Sequence, residues 1–157
     1  MRKKLLFGFI LLLITINFIY IFSTNLLPKP LAILLAYTSN EIKEIESVTK
    51  TTTGPIYRCI SGNDKNGNKK VIWIDTKIVK SIYLKSGISK KEACEIAEKE
   101  GLANRDEVQL VYIPSLQEGT ISKVIPEGVY WFIVDENNKY IFINFNSGEI
   151  QDYEYVE

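Results

Sequence analysis

Asp64, Asn66 and Asn68 stand at alternate positions, a spacing that opens a calcium-binding loop, and Asp135 with Glu136 supplies further carboxylates. Paired acids held at a defined separation across a cleft could also cleave glycosidic bonds. The rest of the chain works against both. There is no histidine, which removes the commonest general base, the commonest zinc ligand and every Ser-His or Cys-His dyad. Lys69 stands where a calcium loop needs glycine, and Asp75 rather than glutamate closes the loop. Each carboxylate lies in a stretch of Asp, Asn and Gly whose composition a turn already explains. The residues therefore assign no catalytic group, no metal ligand and no cofactor, and the chain reads as non-enzymatic.

Two cysteines remain, Cys59 and Cys94. An even count in an exported protein invites a disulfide. Cys59 falls in a strand pattern and Cys94 in a helix of the next unit, and either can serve as a small buried hydrophobe. Two thiols are the simpler reading.

The first element to place is the uncharged run 5–22, LLFGFILLLITINFIYIF, preceded by Arg2, Lys3 and Lys4. At a rise of about 1.5 Å per residue it is long enough, as one helix, to cross a bilayer core. The leading cations stay on the cytoplasmic side, which puts the remainder outside. A cleaved signal is the alternative, but the run is long and no small-x-small site follows Phe22. The expectation is an uncleaved single-pass anchor in the cell membrane, with a cytoplasmic tip and anchor over 1–25. Basic and acidic residues balance at 19 each over the whole chain. Because three cations precede the run, the exported part is mildly acidic, which argues against a nucleic-acid partner.

About 130 residues are left for one ordinary domain or two very small ones. Pro30 suits the first turn of a helix, and Leu31, Leu34, Leu35 and Thr38 recur at helical spacing, an apolar face that either covers a sheet or lies in the lipid interface, core packing being the simpler reading. Strands are predicted over 45–53, 56–61, 71–74 and 79–85, with a hairpin at Asn66-Gly67. Ser89 and Glu92 form a capping-box pattern for a second helix, closed by Gly101 with Leu102 packing back. Four more strands follow over 108–113, 129–134, 140–145 and 150–155. The chain thus repeats one plan of a helix and then antiparallel strands. The fold class is α+β: an N-terminal transmembrane helix and two tandem small helix-plus-sheet units, 30–86 and 87–157. Each unit is too small to bury much core alone, so the two should pack together.

The order Gly62-x-Asp64, Asn66-Gly67, Val71-Ile72-Trp73, Gly87-Ile88-Ser89, Ala93, Gly101-Leu102, Trp131 and 140–145, closing on Ser147-Gly148-Glu149-Ile150, resembles the TseB (YpmB) family of Gram-positive bacteria. The late aromatic strand with its Ser-Gly-x-Ile turn is also similar to the PepSY module. This resemblance implies two cystatin-like or PepSY-like domains in a non-enzymatic membrane protein. Its partner would be a class B penicillin-binding protein, and its role the modulation of peptidoglycan synthesis during cell elongation. A PepSY-type inhibitor or chaperone of an exported protease is the alternative. Two features depart from the family pattern. The first helix is more apolar than expected, and the connection 114–128 is longer. That connection carries Ile121, Val124 and Ile125, which either pack on their own domain or form a partner-contact tip. The aromatic pairs Tyr130/Phe132 and Tyr153/Tyr155 are further candidate contacts, although such pairs are more often plain sheet packing.

Overall fold

In a computed structural model, the residues described are 8, 10–13, 15, 26–102, 105–114 and 125–151. Helix α1 (Lys29–Thr38) leads into strands β1 (Glu44–Lys50), β2 (Arg58–Asn63), β3 (Lys69–Ile74) and β4 (Ile78–Tyr83). A short 3-10 turn, Leu84–Ser86, and Gly87 connect to helix α2 (Lys90–Lys99). Strands β5 (Arg105–Ile113), β6 (Gly128–Asp135), β7 (Tyr140–Asn144) and β8 (Ile150–Gln151) complete the second unit. Each unit is a meander of four strands paired in chain order, antiparallel throughout.

The expected transmembrane helix requires correction. No helix among the described residues is long and apolar enough to cross a membrane. Gly8, 10–13 and Thr15 are helical, and the remainder of 5–22 lies outside the described residues. Composition showed only that the run is uncharged. Spanning further requires one unbroken helix of sufficient length, and the α+β fold closes without it. Among the described residues, the apolar clusters begin at Leu27.

Local chemistry sets the helix ends. Ser89 Oγ accepts from Glu92 N, and the Glu92 carboxylate accepts from Ser89 N, so two otherwise unpaired donors are satisfied together. At the other end, Leu102 N donates to Ala97 O and Gly101 N to Glu98 O, with Gly101 at φ +89°. That pair of bonds is a Schellman cap, and its left-handed position suits glycine.

Successive side chains of a strand point to opposite faces, and here the inner strands β2, β3 and β6 bury side chains on both faces. Ile60, Ile72 and Ile74 pack with Ala32 and Ala36 of α1, whereas Cys59, Val71 and Trp73 point the other way. In the second sheet, Leu110, Tyr112, Val129, Trp131, Ile133 and Ile143 join Ala93 and Ala97 of α2. Tyr57, Cys59 and Trp73 from the first unit belong to that same cluster. One core is therefore shared between the units. Val111, Ile113, Tyr130, Phe132 and Phe142 form a third cluster on the far face of the second sheet. Two-sided burial accounts for the unbroken apolar runs at 71–74 and 129–134, where a half-exposed strand would alternate.

Candidate interaction surface

Two matching hairpins bring the chemistry-bearing residues into view. Between β2 and β3, Asp64 Oδ1 accepts from Asn66 N at 2.8 Å and from Asn68 N at 2.9 Å. Between β6 and β7, Asp135 Oδ1 accepts from Asn137 N and Lys139 N, both at 2.8 Å. The main chain repeats as well: Gly67 N bonds to Asp64 O, and Asn138 N to Asp135 O. Gly67 and Asn138 take positive φ, at +77° and +60°. Backbone bonds from Asn68 foremost hold the Asp64 carboxyl below its usual range. These acids brace turns. Among the described residues, no group of three or more His, Cys, Asp or Glu side chains could hold a metal ion.

The junction between units is built from polar and aromatic contacts. Gln109 Oε1 of β5 accepts from Thr52 N at 3.0 Å, while Gln109 Nε2 donates to Lys50 O at 3.0 Å. Thr52 Oγ1 also reaches Glu107 Oε1 at 3.0 Å. Tyr112 packs against Tyr57 and Trp73 with ring centroids 6.1 and 6.3 Å apart. Burial, then its bond to Glu127, pushes the Tyr112 hydroxyl up to about 12. In the linker, Ile88 N donates to Phe145 O, and Ile88 O accepts from Trp131 Nε1 at 3.0 Å. These contacts belong to the fold.

The predicted contact residues divide. Ile125 is fully buried in the cluster with Tyr130, Phe132 and Phe142, where it touches core rather than solvent. Ile121 and Val124 lie outside the described residues, as do Tyr153 and Tyr155. Tyr130 and Phe132 are buried, and the Phe132 ring packs tilted against Phe142 with centroids 4.9 Å apart. No disulfide joins Cys59 and Cys94. Burial pushes the Cys59 thiol up to about 12, the range of an inert structural cysteine.

The apolar face that the sequence marks with Leu31, Leu34, Leu35 and Thr38 lies on α1. Leu31, Leu34 and Tyr37 recur every third residue and are 44%, 57% and 45% exposed. Core packing holds for Leu35, half-buried against the sheet, and is corrected for Leu31 and Leu34: Ala32 and Ala36 are the fully buried residues that face the strands. Alanine lets the helix axis approach the strands closely, and the larger side chains then fall outside the contact. Ala93 and Ala97 of α2, at the same four-residue spacing, signal this inner face in the sequence.

No protein-family profile and no curated protein sequence matches this chain. Among solved structures, the YpmB protein from Bacillus subtilis matches with a TM-score of 0.59 at 24% identity, covering 79% of this chain and 94% of that one. The chain has the fold of YpmB. A likeness at this identity speaks to architecture and leaves activity open.

Proposed function

We propose that this chain belongs with the TseB/YpmB family and is an extracytoplasmic, membrane-associated regulatory binding protein. It acts on a class B penicillin-binding protein and modulates peptidoglycan synthesis during cell elongation. The observation that carries the reading is the shared fold with YpmB over nearly the whole of that protein's length. The family resemblance of the sequence motifs adds to it. The Asp64 and Asp135 carboxylates are occupied in holding hairpins, which fits a binding role better than hydrolysis. Residence at the membrane would confine the protein and its partner to one plane and raise their effective concentration.

Photocrosslinking in living cells tests this. Reactive residues are placed singly at exposed positions of both units in the full chain, and the captured proteins are identified by mass spectrometry. The expected product is a penicillin-binding protein. Capture of an exported protease in its place transfers the reading to an inhibitor or chaperone. Recovery of the chain in the cytosolic fraction overturns both.

A further inference from the structure

The two helices provide an internal comparison. Both turn a pair of alanines four residues apart onto their sheets, Ala32/Ala36 and Ala93/Ala97, all fully buried. Their outer faces are opposite in character. On α2 the remaining positions are mostly charged, with Lys90, Lys91, Glu95, Glu98 and Lys99, as a solvated face requires. On α1 no charge occurs after Lys29, and the outward side chains are Leu31, Leu34 and Tyr37. The same scaffold thus faces water through one helix and presents apolar side chains through the other. Isolated exposed leucines need no explanation, but a stripe along one helix face does.

We infer that the outer face of α1 rests in the interfacial layer of a phospholipid membrane, with Leu31 and Leu34 among acyl chains and Tyr37 at headgroup level. Position in the chain selects lipid over a protein partner. The uncharged run 5–22 ends six residues before Pro28, and its described residues Ile10, Leu11, Leu12 and Leu13 also present apolar side chains outward. Two apolar surfaces so close in sequence are served together by one lipid layer. Lys29, exposed at the start of α1, suits anionic headgroups. Orientation is also fixed, because Arg58 Nε donates to Leu27 O at 3.1 Å and ties the lead-in of α1 to β2. Lipid contact along α1 would therefore set the attitude of the first sheet on the membrane. The inference rests on the membrane location proposed above and adds the face that meets it.

The test uses the full chain in phosphatidylglycerol and phosphatidylethanolamine vesicles carrying brominated acyl chains. Leu34→Trp reports on the α1 face, and Glu95→Trp on the charged face of α2. The native Trp73 and Trp131 are buried and give both variants the same background. The expected result is a blue-shifted Leu34→Trp emission quenched several-fold more strongly than that of Glu95→Trp. Leu31→Trp serves as a second reporter and should behave like Leu34→Trp. If the chain binds vesicles and both α1 reporters are quenched no more than Glu95→Trp, the lipid face is overturned and membrane location stands. A blue shift without quenching means that protein covers the helix, which overturns it too. Failure of the chain to bind vesicles removes the membrane location and this inference together.

Discussion

Replacing Gly87 with alanine probes the linker that joins the units. Gly87 has φ −146° and ψ −169°, extended backbone open to any residue, so the substitution introduces no conformational strain. The obstacle is space. A Cβ at this position falls 2.5 Å from Phe145 Cε1 and 2.6 Å from Phe145 Cδ1, and it also meets Phe145 O. That carbonyl accepts the Ile88 N–H at 2.8 Å, and Phe145 is buried in the core shared by both units. Overpacking of this kind costs about 1–3 kcal/mol. Relief by moving the linker would sacrifice a backbone hydrogen bond worth about 1 kcal/mol. Gly87→Ala should therefore lose about 1–3 kcal/mol, whether the clash is borne or relieved by a shift of the linker. Gly67→Ala is the control: Gly67 has φ +77° with open space around it, so only the left-handed backbone is penalised, by about 1–2 kcal/mol. Urea unfolding followed by tryptophan fluorescence reads both variants. A loss below about 0.5 kcal/mol for Gly87→Ala, within the range of ordinary surface substitutions, would refute the close approach.

Three further outcomes are expected. Its bond to Lys70 foremost holds the Glu41 carboxyl below its ordinary value of 4.5, with Ser81 adding a second bond. Ionised Glu41 thus stabilises the fold fully above that value, and the contribution fades as pH falls through the lower folded-state pKa. Glu41→Gln should cost about 0.5–1.5 kcal/mol at pH 7, and progressively less as pH falls below 4.5, read from urea midpoints across that range. Ser89→Ala removes one half of the capping box and should cost about 1 kcal/mol, again by urea unfolding. Cys59, buried and with its thiol raised to about 12, should resist iodoacetamide at pH 8 in the folded chain and react once urea is added. Peptide mass spectrometry locates the adduct, and rapid alkylation of Cys59 without denaturant would contradict its placement in the core.

The amino-acid sequence by itself determined the features that depend on a few adjacent residues. Ser89 and Glu92 announced the cap of α2, and Gly101 announced its end. Asp64, Asn66 and Gly67 marked a hairpin because their side chains and backbone preferences act within that turn. The repetition of helix and strands was legible for the same reason.

Burial was decided by residues far apart in the chain. Nothing local to Ile125 says that Tyr130 and Phe142 surround it, and nothing near Trp73 places it beside Tyr112 of the other unit. Apolar spacing in α1 marked a helix but could not say which side met the sheet. Close packing favoured Ala32 and Ala36 there and left Leu31 and Leu34 outside. Periodicity reports which residues share a face, whereas only the assembled surfaces determine which face is covered.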